Sequence, residues 1–526
     1  MLSKSNILKI SLFATGLSGI VAEYLLSTLA TYFLGNSVFQ WTMILSIMLF
    51  SMGLGSRLSQ YIERNILEKF IIIEFVLSIL VAFCSLIAYS AKAYASFNDT
   101  LSIFPLPFDG VIIYTLSIAI GLLIGLEIPM VTRLNQEFEE LKVNIANVME
   151  KDYYGGLVGG IFFAFIGLPI FGLTYTPFIL GSINFVVAIF LIYILKKNIT
   201  PSYKRWFIPI AGMIFVLIVS GTAFAQRIIN YGEQKNYKDR VIYQEQTPYQ
   251  RIVLTEWKEN YWFYLNGNLQ LSSYDEWMYH EPLVHPALKL AQHPQRVLVL
   301  GGGDGCAVRE ILKHPSVESI TLVDLDSAVT NLAKKHPAFL KMNEGALESE
   351  KLTIINADAF NYLENSNEFF DAMIIDFPDP KSIQLGRLYS LEFYRMCYDH
   401  LRPNGVIIAQ AGSPYYATRA FKCIEKTMGA AGFNTIPLHN QILSLGEWGW
   451  IMGAKSVPKE QLKPILRGMK YDNIPTKWLT NEGMQLITSF GKDIVPMDTS
   501  LIRVNRINDP VLPEYYRKGN WDFFNY

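Results

Sequence analysis

The sequence predicts a multi-pass α-helical membrane domain followed by an α/β domain, and three observations predict it. Long apolar runs fill residues 1–230, whereas 231–526 reads as ordinary globular sequence. After residue 295, short apolar strand runs alternate with helical stretches, the pattern of a parallel, doubly wound sheet. A glycine-rich turn closes the first of those strands.

The apolar half comes first. The chain is 51% hydrophobic, with a mean hydropathy of +0.23. A helix crosses a bilayer core with about 20 mostly apolar residues. Seven stretches qualify, at 7–34, 38–56, 70–90, 111–132, 155–174, 176–195 and 206–225. The first carries Lys4 and Lys9 but is too long for a plain signal peptide. Gly155 with Gly159, and Gly156 with Gly160, have the four-residue spacing that lets helix backbones approach closely in lipid.

Lys and Arg crowd alternate loops, at Lys9, Arg57, Arg64, Lys69, Arg133, Lys142, Lys151, Lys196, Lys197, Lys204 and Arg205. That bias puts the N-terminus in the cytosol, and seven spans then put the following domain outside. A cytosolic co-substrate, argued below, favours the inside instead. Glu23, Glu74 and Glu127 lie in or at the edges of apolar runs, where charge is costly and often functional. Glu74, close to Lys69, reads as a helix-end carboxylate. Glu23 and Glu127 are expected to line a cation-accepting cavity.

Composition excludes some functions. The net charge of −1 gives no basic field for nucleic acid. Cys84, Cys306, Cys397 and Cys423 form no CxxC pair and no metal-ligand spacing, so they read as reduced core thiols and no metal is expected.

In the second half, runs at 241–246, 250–257 and 261–266, with a hairpin signal at Asn266-Gly267, predict a small antiparallel β domain over 238–285. Strands are expected at 296–301, 319–324, 352–355, 371–375 and 405–410, within a second domain spanning 290–455. Residues 456–526 show less pattern and read as an appended tail.

The chemistry gathers at strand ends. Gly301-Gly-Gly-Asp-Gly305 ends the first strand and opens a helix; Gly301 and Gly303 let the backbone approach a ligand. Asp324, ending the next strand, is placed to accept hydrogen bonds from ribose hydroxyls. Turn and acid together point to an adenosine ligand. Asp304, inside the turn, would repel the carboxylate of S-adenosylmethionine and attract the lone ammonium of its decarboxylated form. Asp376-Phe-Pro-Asp-Pro380 follows a strand at the sheet edge where such folds bind ligands. Its acids suit a polycation, and Asp376 suits deprotonation of an amine.

Tyr249-Gln250, Gln270, Asp275-Glu-Trp-Met-Tyr-His-Glu281, Gly301-Gly-Gly-Asp-Gly305, Asp358-Ala359 and Asp376-Phe-Pro-Asp-Pro380 resemble, in order, the motifs of the spermidine synthase (polyamine aminopropyltransferase) family over about 240–453. The apolar half and Gly446-Glu-Trp-Gly-Trp450 resemble the bacterial branch fused to transmembrane helices. The resemblance implies a Rossmann-like, methyltransferase-type sheet and a direct displacement with decarboxylated S-adenosylmethionine as co-substrate and no prosthetic group. It implies that Gln250, Asp324, Asp358 and Ala359 hold methylthioadenosine and that Gln270 lines the same site. His280, Asp304 and Asp379 would hold the amine or aminopropyl group. Tyr279 would stand beside the reacting amine and Asp376 would take its proton. Residues 377–390 would close over the site.

There are departures from the family pattern. Phe377 and Pro378 stand where small residues are usual, and Ser382-Ile383 where Gly-Pro is usual. Pro437-Leu-His439 stands where soluble members place a tyrosine facing the diamine. Phe377 is expected to narrow the amine channel.

The expected acceptor is putrescine or a similar diamine, and the expected assembly a homodimer at the cell membrane, in contact with lipid. Two rival readings remain: an S-adenosylmethionine-dependent methyltransferase, and a polyamine transporter or sensor whose soluble domain only binds.

Overall fold

A computed structural model describes residues 4–35, 37–95, 108–491 and 499–521. The chain divides into two compact units, Met1–Val241 and Ile242–Tyr526.

The first unit is helical. Its helices are α1 (Lys4–Leu34), α2 (Ser37–Leu58), α3 (Ile66–Ala95), α4 (Phe108–Asn135), α5 (Leu141–Phe162), α6 (Gly172–Ile194) and α7 (Pro201–Lys235). A π-helical segment, Phe163–Phe171, joins α5 to α6. Among the described residues, six uninterrupted helical runs are long and apolar enough to cross a membrane, and the run Leu141–Ile194 has 54 residues. That run reverses at Gly172, where φ is +62° and a side chain would be strained.

Packing shows the reversal. The α5 leg runs in the same direction as α1: Glu139 just before it pairs with Lys9, Gly155 meets Phe13, and Phe163 lies 5.9 Å from Tyr24. A Cβ on Gly155 or Gly159 would sit 2.1 Å from the Phe13 carbonyl oxygen or 2.5 Å from that of Leu17, so the glycine spacing is what lets α5 touch α1. The α6 leg runs against α3, with Phe178 5.5 Å from Phe83 and Phe185 6.2 Å from Phe75. At the end of the bundle far from Lys9, Tyr32 donates to Glu233 and Phe33 packs edge-on to Tyr89 at 5.0 Å. The start of α1 and the end of α7 therefore lie at opposite ends.

The carboxylates are arranged differently from the sequence expectation. Glu74 is fully buried, and neither of its oxygens has a hydrogen-bond partner among the described residues. Its charged neighbour is Glu127, not Lys69. Thr15 of α1 adjoins Glu127, and Glu23 lies two helical turns, about 12 Å, further along α1. The buried acidic pair is thus Glu74 with Glu127.

The second unit begins with a four-stranded antiparallel sheet: β1 (Arg240–Gln246), β2 (Arg251–Trp257), β3 (Asn260–Leu265) and β4 (Asn268–Ser272), in that spatial order. Asn266 and Gly267, at φ 50° and 76°, make the two-residue turn between β3 and β4. A seven-stranded sheet follows, from β5 (Arg296–Gly301), β6 (Ser319–Asp324), β7 (Leu352–Asn356), β8 (Phe370–Asp376), β9 (Leu401–Gly412), β10 (Asn434–Ile442) and β11 (Gly446–Ala454). Its order is β10-β11-β9-β8-β5-β6-β7. Five strands are parallel, but β10 and β11 are antiparallel, so the sheet is mixed rather than wholly parallel as expected. Only three residues separate β10 from β11, too few for a crossover, so the chain must turn straight back.

Separate apolar cores cover the two faces of this sheet. Residues after 455 contribute to both: Leu462, Leu479 and Met484 to one, Leu512 and Tyr516 to the other. The chain leaves β5 toward β6 and β7 on one side and returns to β8 and β9 on the other. The carboxyl ends of β5 and β8 therefore form a switch point, where open α/β sheets bind ligands.

Candidate active site

Gly301 pairs with Asp376 across the β5–β8 boundary. Gly301 has φ +79°, and a Cβ there would lie 2.2 Å from the Asp376 carbonyl oxygen, so only glycine fits. A Cβ on Gly303 would lie 2.7 Å from Asp324 Oδ2, which instead accepts the Gly303 N–H at 3.0 Å. Burial pushes the Asp324 carboxyl up to about 6.

Helix α8 (Trp277–Leu290) brings Tyr279 and His280 to the same edge. The Tyr279 hydroxyl donates to Asp376 Oδ1 at 2.5 Å. His280 Nε2 lies 3.9 Å from both Asp304 Oδ1 and Asp376 Oδ2. Its Nδ1 lies 2.9 Å from the Glu276 carboxylate. Glu276 in turn receives a bidentate pair of bonds from Arg309, of 2.7 and 2.9 Å. Arg309 belongs to α9 (Cys306–Leu312), the helix that the glycine turn opens. Asp304 turns one oxygen back to accept the Cys306 N–H at 2.8 Å.

Electrostatics follow from this geometry. Burial would lower the His280 pKa, but Glu276, Asp304 and Asp376 outweigh it and raise it to about 9. Burial raises Asp376 to about 6, against the restraining charge of His280. Burial and the Asp376 charge push the Tyr279 hydroxyl well above its usual range, so it stays a donor. His280, Asp304 and Asp376 have ligand atoms within 4.8 Å of one another, a spacing that can hold a metal ion. The two carboxylates of this group can face a cation.

The remaining sequence-predicted residues have partners of their own. Gln250 Nε2 donates to Asp326 Oδ2 at 3.0 Å, and the Asp326 N–H donates to Asp324 Oδ1 at 3.0 Å. Gln270, on β4, donates to the Asn268 carbonyl at 3.0 Å, a local bond that does not tie it to Asp324. Asp358 accepts the Asn361 N–H and pairs with Arg387 at 2.7 Å, next to buried Ala359. Asp379 Oδ2 accepts the Tyr516 hydroxyl at 2.5 Å.

Two of the noted departures have identifiable surroundings. Phe377 packs against Phe393, at 5.8 Å, and Tyr389, at 6.2 Å, and its carbonyl accepts from Gln410. Its ring also borders the glycine turn: a Cβ on Gly301 would lie 3.1 Å from Phe377 Cδ1. His439 pairs with Glu447 and stacks 4.3 Å from Phe490. It lies on the face of the sheet away from Trp450, which meets Tyr279 at 5.4 Å.

Sequence reasoning assigned no role to Glu276, Arg309, Asp326 or Tyr516. Glu276 lay within a quoted motif and Asp326 two residues past Asp324. Arg309 and Tyr516 carry no local signal, since only the fold brings them in.

The spermine/spermidine synthase domain matches residues 276–463. The polyamine aminopropyltransferase of Leptospira interrogans is 39% identical over 512 residues, 97% of each chain. Polyamine aminopropyltransferase 2 of Aquifex aeolicus is 40% identical over 522 residues, 98% of this chain and 99% of that one. The crystal structure of spermidine synthase from Thermotoga maritima is 30% identical and covers 48% of this chain and 85% of that chain, with a TM-score of 0.43. The two full-length relatives align through both units, and on that likeness the chain belongs to the polyamine aminopropyltransferases.

Proposed function

We propose that this chain moves the aminopropyl group of decarboxylated S-adenosylmethionine onto an amine, putrescine or a similar diamine, and releases methylthioadenosine. The observation that carries the reading is the cluster at the switch point: Asp304 and Asp376 flank His280 at 3.9 Å, and Tyr279 bonds Asp376 at 2.5 Å. In the reaction, the acceptor nitrogen attacks the carbon next to the sulfonium. The C–N bond forms, the C–S bond breaks, and its electron pair stays on sulfur. Asp376 takes the proton of the acceptor nitrogen, and Tyr279 and His280 fix the carboxylate that receives it. Because His280 is cationic, Asp376 stays ionised at neutral pH despite burial.

Around this centre, Asp324 takes the ribose hydroxyls. Gln250, Gln270, Gly301, Gly303, Asp358 and Ala359 line the nucleoside. His280, Asp304 and Asp379 face the charged aminopropyl and amine groups. Residues 1–230 embed in the cell membrane and contact lipid. The β domain at 238–285 and the sheet at 290–455 hold the two substrates, residues 456–526 complete the fold around them, and the assembly is a dimer.

The test uses the full chain in lipid nanodiscs, supplied with decarboxylated or intact S-adenosylmethionine and a panel of amines. Mass spectrometry should find aminopropylated amine and methylthioadenosine with the decarboxylated donor alone. A methylated product from the intact donor, or binding of both donors without turnover, would overturn the reading.

A further inference from the structure

The segment after residue 499 grips the stretch 377–390 at three points. Asn505 Nδ2 donates to the carbonyls of Gly386 and Tyr389 at 2.8 and 3.1 Å. Pro513 lies so close to Gly386 that a Cβ there would be 2.9 Å from its ring. Tyr516, on the helix Leu512–Arg517, donates to Asp379 Oδ2. Lys381 Nζ is 3.6 Å from the same oxygen, so Oδ1 is the atom left for a ligand.

Tyr516 is itself tightly held. It is 4% exposed, stacks 4.7 Å from Trp521, and its carbonyl accepts the Trp521 indole N–H at 2.7 Å. Burial and the Asp379 charge push its hydroxyl well above the usual phenol range, so it remains a donor. Asp379 acts electrostatically on Tyr279 as well, the group that bonds Asp376. Asn505, Pro513 and Tyr516 all lie beyond residue 463, where the match to the synthase domain ends.

We propose that the segment 505–516 is a built-in clasp for the acceptor half of the site, and that Tyr516 is a positioning residue that orients Asp379 toward the acceptor ammonium. A carboxylate free to rotate would turn either oxygen toward Lys381. With Oδ2 occupied by the phenol, Oδ1 keeps one direction, which fixes where the amine is held and how long a diamine fits. This rests on the reading above that Asp379 holds the amine.

Steady-state kinetics on the full chain test it, with Asp379→Asn and Tyr516→Phe in parallel and diamines of different chain length as acceptors. Loss of a charge-assisted hydrogen bond should raise the acceptor KM of Tyr516→Phe about tenfold. The donor KM should stay within about twofold, and the preference among diamine lengths should flatten. A purely structural role would scale all acceptors and the donor alike, and that result, or unchanged acceptor KM, would overturn the proposal. If Asp379→Asn also leaves the acceptor KM unchanged, the underlying assignment of Asp379 fails. If Asp379→Asn raises it and Tyr516→Phe does not, only the clasp fails. Should Tyr516→Phe fold poorly, Asn505→Ala, which releases the other grip on 377–390, should give the same split between acceptor and donor.

Discussion

The Tyr279 hydroxyl bonds Asp376 Oδ1 at 2.5 Å while His280 stands 3.9 Å from Oδ2, so the buried carboxylate has a donor on one oxygen and a cation near the other. Replacing Asp376 by Asn keeps the shape and removes the base. Turnover should fall on the order of 10²–10⁴-fold. Methylthioadenosine binding, read by calorimetry, should be largely retained. Unchanged turnover would remove Asp376 from the mechanism.

The pH profile should report the same group. A base works only when deprotonated, and burial raises Asp376 to about 6. The acid limb of kcat/KM should therefore rise through about pH 6. His280 carries the charge that restrains this shift, so His280→Gln should move the limb to higher pH. A limb that stays put or moves to lower pH would contradict the pairing.

Asp304→Asn should weaken discrimination against intact S-adenosylmethionine. The wild-type carboxylate meets the donor's own carboxylate, a like-charge contact that a neutral amide removes. Competition binding of the two donors should show the preference ratio falling by roughly tenfold or more, about 1.4 kcal/mol. An identical ratio in both proteins would show that Asp304 is no filter.

Seven alternating helical legs leave the start of α1 and the end of α7 at opposite ends of the bundle. If each leg crosses, tags before α1 and after α7 should label from opposite faces of the membrane. The crowding of Lys and Arg near Lys9 predicts that the α1 end is cytosolic. Labelling of both tags from one face would mean that one leg does not cross.

How much of this was legible in the sequence depends on how local the signal was. Gly301, Gly303 and Asp324 could be read directly, because a tight turn and a strand-end acid have short-range signatures. The hairpin β10–β11 was missed, because Asn434, Pro437, His439, Asn440 and Gln441 break the apolar run that marks a buried strand. Glu74 was misjudged because Lys69 is near in sequence, whereas Glu127 is near in space. Phe377 was expected to face the amine. Its ring packs against Phe393 and Tyr389 and borders Gly301, contacts that only the fold brings together. Tyr516 could not be read at all, because it acts on a residue far away in the chain.

That separation has a consequence for biosynthesis. Tyr516 follows Asp379 by 137 residues. At about 5–20 residues per second, a ribosome needs on the order of ten seconds to cover that stretch. The glycine turn and Asp324 emerge well before it. A nascent chain can thus order β5 and β6 before the residue that bonds Asp379 has been synthesised. The stretch 377–390 gains its clasp last, and a chain released early by a premature stop would carry Asp379 without its Tyr516 bond.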